Sequence, residues 1–170
     1  MQNDVVLSMR NISKSFPGVR ALQNVDFTLR KGEIHALMGE NGAGKSTLIK
    51  VLTGVHPRDS GQVFLNIDGS LREIHVKSPY EAQNLGISTV YQEITLCPNL
   101  TVAENMFIGR GSYHTVNWRQ MKKRAAEILE KLKIPARATQ QLDTCSIAVQ
   151  QMVAIARAVD MDCKVLILDE

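Results

Sequence analysis

Gly39-Glu40-Asn41-Gly42-Ala43-Gly44-Lys45-Ser46-Thr47 is the stretch whose reading decides the fold. It fits GxxxxGK[ST], a phosphate-binding loop, and it follows the apolar run Ile34 to Met38, the strand context that the pattern requires. With Gly near 7%, about 6% Lys and about 12% Ser plus Thr, a chain this long shows the pattern by chance about 0.6% of the time. Coincidence is therefore a poor explanation.

The chemistry asks for these residue types in this order. Glycines let backbone N–H groups turn inward around phosphate oxygens. A helix opening near Lys45 adds its positive end, typically about 0.3 to 1 kcal/mol per exposed anion. An ammonium about 4 Å from a phosphate contributes roughly 4 kcal/mol at an effective dielectric near 20, so Lys45 outweighs the dipole. Ser46 is the expected Mg²⁺ ligand and Thr47 the expected support of a phosphate oxygen.

Outward from the loop, apolar runs bounded by turn residues predict strands near Val5 to Met9, Val25 to Leu29, Ile34 to Met38, Val63 to Ile67, Ile87 to Tyr91 and Val165 to Leu168. Ser78-Pro79-Tyr80-Glu81 places a cap hydroxyl, a first-turn proline and a returning carboxylate in capping-box order, with Gly86 ending that helix. Thr101-Val102-Ala103-Glu104 is a second box, and Asn117 with Gln120 a third. The third opens a helix whose face is Met121, Ala125, Ile128, Leu129 and Leu132 and which ends before Pro135. Strands fill the first half, helices residues 97–159, and a strand returns at Val165, which predicts an α/β core with a helical insertion.

Val165-Leu166-Ile167-Leu168-Asp169-Glu170 has the form of a Walker B strand, apolar along its length with acids at its carboxyl end facing a nucleotide crevice. Asp169 is then the residue that holds Mg²⁺ through water, and Glu170 orients or deprotonates the attacking water, a role worth about 10² to 10⁴ in rate.

Composition excludes more than it assigns. Of 170 residues, 44% are hydrophobic and 22% charged, ordinary values for one soluble domain. Twenty Lys and Arg against 17 Asp and Glu leave a net +3 with no basic block, so neither nucleic acid nor an anionic membrane is called for. Cys97, Cys145 and Cys163 form no CxxC pair, which argues against zinc and disulfides and reads as three core thiols in a reducing compartment. No stretch has the length of a membrane span, and the first residues lack the pattern of a secretory signal. His35, His56, His75 and His114 read as surface or packing residues.

Tyr91-Gln92-Glu93, the TVAEN helix start and a Ser-Gln-rich turn opening a helix before Walker B together resemble the ATP-binding cassette (ABC) ATPases. The resemblance covers essentially the whole chain. It implies a phosphate-loop NTPase fold: a central, mostly parallel sheet, an N-terminal antiparallel β part and an inserted helical subdomain, interrupted after Walker B. On this reading residues 1–170 are a single incomplete cassette domain, with a nucleotide-binding core at 1–96, the helical subdomain at 97–159 and the Walker B strand at 160–170. Gln92 takes the place of the glutamine that touches Mg²⁺ and water and passes movement to the membrane subunits. Phe16, in Lys14-Ser15-Phe16-Pro17-Gly18, takes that of the aromatic ring stacked on adenine.

The family signature LSGGQ aligns with Cys145-Ser146-Ile147-Ala148-Val149, of which Ser146 alone is kept. In the family this segment meets the nucleotide of an opposing cassette, so Ser146, Ile147 and Ala148 are expected to act in trans. Ala148 puts a methyl where a glycine permits close approach.

The combination KSFPGVRAL, GENGAGKSTLIKVLTG, GISTVYQE and LTVAENMFIGR is most similar to monosaccharide importers, and SIAVQQMVAIARAVD brings it nearest the galactofuranose type. Implied are ATP and Mg²⁺ as cofactors, and transmembrane permease subunits, a sugar-binding protein and a second cassette as partners. The implied place is the cytoplasmic face of the inner membrane, with neither nucleic acid nor zinc. Family residues beyond Walker B are absent, so a truncated chain is expected, inactive or very slow on its own and marginally stable or self-associating. A soluble cassette ATPase acting on DNA or ribosomes would show coiled coils, zinc cysteines or a basic arm. A GTPase would show an NKxD-type segment. A nucleotide-binding fragment without turnover stands as the alternative.

Overall fold

Leu7 and Met9 are buried on one face of β1 (Val5–Phe16), yet the next buried residue is Ile12 rather than Asn11. The step is a bulge. Asn11 takes φ 52, its N–H donates to Asp26 Oδ1 at 2.7 Å, and pairing with β2 (Val19–Arg30) changes register between Met9 and Ile12. One extra residue restores the inward phase of the strand beyond it. Gly61 accommodates the bulge on the other side: a Cβ there would lie 2.5 Å from the carbonyl oxygens of Arg10 and Asn11, and its φ is +95.

The computed structural model describes residues 4–90, 96–109, 117–161 and 163–169. They fall into two compact units that meet in sequence at Ser88 and Thr89. In the first, a four-stranded antiparallel sheet runs β2-β1-β3-β4, with β3 at Ser60–Ile67 and β4 at Ser70–Glu73. Leu7, Met9, Ile12, Leu22, Val63 and Leu65 are its buried apolar residues, and helix α1 (Lys45–Leu52) buries Leu48, Val51 and Leu52. Helix α2 (Pro79–Asn84) is capped by the Ser78 hydroxyl, which accepts from the Glu81 N–H. The Glu81 carboxylate reaches back to the N–H of Lys77, one residue earlier than a capping box requires.

The apolar run Ile34 to Met38 departs from expectation. Residues 33–40 form no ladder, and Ile34 and Met38 are 101% and 87% exposed. An apolar run becomes a strand only where a neighbour takes its backbone hydrogen bonds, and among the described strands none pairs with it. Conversely β4 is a strand that the sequence pattern did not announce, formed because Asp68 and Gly69 turn the chain back, both at positive φ.

Strand β5 (Ile87–Val90) pairs with β6 (Val165–Leu168). The helices of the second unit are α3 (Val102–Phe107), α4 (Trp118–Lys131) and α5 (Ile147–Val159), the last preceded by a 3-10 turn at Leu142–Thr144. Val102, Met106, Ala125, Leu129, Leu142, Val153 and Ala156 form its core. On α4 the predicted face holds at its centre, where Ala125, Ile128 and Leu129 are buried, while Leu132 at the C-cap is 38% exposed. Cys145 is buried, and burial pushes its thiol up from the usual range. Cys97 is exposed, against the expectation of a core thiol; its backbone, not its sulfur, is what the fold holds.

The capping box at α3 is complete. The Glu104 N–H donates to Thr101 Oγ1, and the Glu104 carboxylate accepts from the Thr101 N–H at 2.6 Å and its hydroxyl at 2.7 Å. These two bonds, hydroxyl first, hold the Glu104 carboxyl below its usual range. A depressed folded-state pKa means stability that is present above the unfolded value and lost as pH falls through the folded one. Glu104→Gln keeps the box but not the charge. It is expected to lower stability by about 0.5 kcal/mol near neutral pH and to converge with the parent as pH falls through the depressed folded-state pKa of Glu104. Urea midpoints measured across that range check this.

Candidate functional site

The loop 39–44 is closed on itself by the side chain that follows it. Lys45 Nζ donates to the carbonyl oxygens of Gly39 at 2.6 Å and Glu40 at 3.0 Å, and the Ala43 N–H donates to Glu40 O at 3.1 Å. Gly44 is the N-cap of α1 in the left-handed region, φ 93, and caps with no side chain. A Cβ there would stand 2.5 Å from Ala21 O and 2.9 Å from Leu22 Cδ2, so only glycine lets the helix start this close to β2. The first ladder bond of the helix runs from the Leu48 N–H to Gly44 O. The N–H groups of Lys45, Ser46 and Thr47 have no helical partner, and the macrodipole is positive at this end. Glu40, Asn41, Gly42, Ala43 and Ser46 are exposed, and Gly42 also has positive φ. The arrangement is a concentration of backbone donors and one ammonium, which is what a polyphosphate needs.

Phe16 lies at the tip of the β1–β2 hairpin, opposite Val19, in the same unit as the loop. The hairpin residues nearest Gly44 are Ala21 and Leu22, a few rungs back from that tip. Phe16 is 37% exposed. His56 packs on it edge to face, with centroids 5.2 Å apart, and Lys14 Nζ stands over it at 5.5 Å. His35 packs similarly on Phe27, and His75 lies beside Arg58, so these two have the packing and surface roles expected of them. His114 lies outside the described residues.

In the second unit Asp169 is half-buried just past β6, and its N–H donates to Val90 O at 3.0 Å. Ser146 caps α5 by accepting from the Val149 N–H, and Ile147 and Ala148 are exposed in its first turn. Gln150 Nε2 donates to Cys145 O, pinning the turn that leads into this helix. Gln92 and Glu170 lie outside the described residues. Two groups given no site role from the sequence are also organised: Asn105, fully buried and bonded to residues 97–101, and His56, read as a surface or packing residue and packed against Phe16. His56 meets Phe16 across separated segments, and Asn105, whose partners lie four to eight positions back, carries no sequence sign of where its amide points.

A family model described as ABC transporter matches residues 22–170. The chain belongs to the ABC transporter family. The chain is 50% identical to the galactofuranose transporter ATP-binding protein YtfR of Escherichia coli (strain K12), over 99% of its own length and 33% of that protein. It is 46% identical to the ribose import ATP-binding protein RbsA 1 of Burkholderia cenocepacia (strain HI2424), over 97% of its length and 32% of the relative. It thus spans about a third of the curated relatives it matches. Among solved structures, the ADP conformation of MJ1267, an ATP-binding cassette of an ABC transporter, superposes with a TM-score of 0.81 at 28% identity, covering 95% of this chain and 67% of that one. The antiparallel N-terminal sheet and the helical part expected of an ABC cassette are both present.

Proposed function

We propose that this chain binds and hydrolyses ATP as a cassette of an importer that moves a monosaccharide across the cytoplasmic membrane. The observation that carries the reading is the Lys45 ammonium, gathered with three open helix N–H groups around one loop. Similarity to relatives named for galactofuranose and ribose supports a sugar as cargo. Residues 39–47 would hold the phosphates and Phe16 the adenine.

Ser46, Asp169 and Gln92 are oxygen donors of the hard kind that Mg²⁺ prefers, and Ser46 is exposed in the first turn of α1. When bound, the ion neutralises charge on the transferred phosphoryl group. Glu170 would take the proton of the attacking water. Ser146, Ile147 and Ala148 would address the nucleotide of a second cassette, and Gln92 would pass closure to permease subunits supplied by a sugar-binding protein. The helical subdomain at 97–159 would lie toward the permease. The place is the cytoplasmic face of the inner membrane, held there by partners; among the described residues no helix is long and apolar enough to cross a membrane.

One observation favours a second reading, nucleotide binding without efficient turnover: Ala148 is exposed in the first turn of α5 and carries a methyl where the family has glycine. The test is MgATP binding to the chain, then hydrolysis by the full-length protein with permease in vesicles. The importer reading expects micromolar-to-millimolar binding and hydrolysis stimulated by sugar-loaded binding protein. Binding with no stimulated hydrolysis selects the second reading. No binding at all would overturn both.

A further inference from the structure

The loop between α1 and β3 touches every residue at the end of β1. The Asp59 N–H donates to Ser13 O at 2.9 Å, Asp59 Oδ1 accepts from Lys14 Nζ at 2.8 Å, and Asp59 Oδ2 accepts from the Ser15 N–H at 2.7 Å. His56 then packs on the Phe16 ring. The same loop is tied back to the phosphate helix, because the His56 N–H donates to Lys50 O at 3.1 Å and the Thr53 N–H to Ile49 O at 2.9 Å. One short segment therefore references the hairpin tip to the helix that begins with Lys45-Ser46-Thr47.

We propose that His56, with Lys14 and Asp59, clamps the Phe16 ring in the orientation that receives the nucleotide base, which makes His56 a positioning residue for base recognition. The inference rests on the reading of Phe16 as the base-stacking ring and deepens it. Lys14 stands over the ring and His56 lies at 75° to it, so both constrain its rotation while 37% of the residue stays open to a purine. Asp59 fixes Lys14, and the pairing holds the Asp59 carboxyl below its usual range, Lys14 contributing first and the Ser15 N–H second. Because His56 bonds to Lys50, an ordered ring is also an ordered distance from base to phosphate loop.

The experiment compares the chain's affinity for MgATP with its affinity for magnesium tripolyphosphate, which has the phosphates and no base. His56→Ala is expected to weaken MgATP binding about 3- to 10-fold, the range of one lost aromatic edge contact, and to leave tripolyphosphate unchanged. His56→Phe, which restores an aromatic edge, should recover MgATP binding. Equal weakening of both ligands, or no change in either, overturns the clamp. Phe16→Ala measured alongside separates the two claims. If it fails to weaken MgATP relative to tripolyphosphate, the stacking reading falls. If it does weaken MgATP and His56→Ala does not, the stacking reading stands and the clamp falls.

Discussion

Replacing Lys45 with alanine is expected to weaken MgATP binding by about 30-fold to about 700-fold, while the melting midpoint of the chain moves by no more than a degree or two. The upper figure is the roughly 4 kcal/mol attraction of an ammonium for a phosphate about 4 Å away at an effective dielectric near 20. The lower figure reflects what the ammonium already has. It donates to Gly39 O and Glu40 O, both at the surface, and a phosphate must compete with them or share the ammonium. Water can replace the ammonium at those exposed carbonyls, so removing it costs the fold little. Lys45→Arg is expected to resemble alanine rather than the parent, since a planar fork does not fit two carbonyls 2.6 and 3.0 Å from a single nitrogen. Titration calorimetry with MgATP, beside a thermal melt, reads both quantities. A loss of affinity matched by a large fall in melting point would mean that Lys45 holds the loop rather than the phosphate.

What could be read from the chain was what is local. Ser78, Thr101, Asn117 and Ser146 each cap a helix through a bond to the residue three positions on, so cap and partner stand in one short window of sequence. The loop 39–47 was legible for the same reason: its ammonium, glycines and helix start are contiguous. What escaped was what depends on a distant partner. Ile34 to Met38 has a strand's composition and no ladder, and whether such a run pairs is decided by segments elsewhere. The bulge at Asn11 is settled by Asp26 and Gly61, 15 and 50 residues away, so the phase of β1 could not be followed past Met9. The same holds at the site. His56 meets Phe16 across 40 positions, and nothing near either residue announces the other. Asn105 escaped for another reason: its partners lie only four to eight positions back, but the sequence does not say where its amide points.

Asn105 is therefore expected to be the costliest single polar position in the second unit. It is 0% exposed inside α3, and its amide is spent on one loop. Oδ1 accepts from the Cys97 N–H at 2.7 Å, and Nδ2 donates to Cys97 O at 2.9 Å, Thr101 O at 3.1 Å and Leu100 O at 3.3 Å. Thr101 is also the cap of the helix that carries Asn105, so the side chain folds the approach to α3 back onto its own first turn. Asn105→Ala takes away the acceptor of the Cys97 N–H in a part-buried place, while the carbonyls of Cys97, Leu100 and Thr101 each keep one backbone donor, from Leu100, Leu142 and residue 105. At about 1 to 3 kcal/mol for that orphaned group, the expected loss is about 1 to 3 kcal/mol. Asn105→Asp keeps the shape and reverses the chemistry. Near neutral pH a carboxylate would face three carbonyl oxygens with nothing to donate, so it should cost at least as much as alanine. Burial and those carbonyls raise the folded-state pKa of the new carboxyl, so its penalty shrinks as pH falls toward the unfolded value. Trp118, the single tryptophan, stands at the start of α4 in the same unit and reports its unfolding. Urea midpoints from its emission should rank parent, then alanine, then aspartate at pH 7, with the last two exchanging places in acid. A loss below about 1 kcal/mol for Asn105→Ala would mean that water enters and takes over the amide's bonds. The loop at 97–101 would then be held by its apolar neighbours and by the bonds from Leu142 to Leu100 and from Val102 to Gln140.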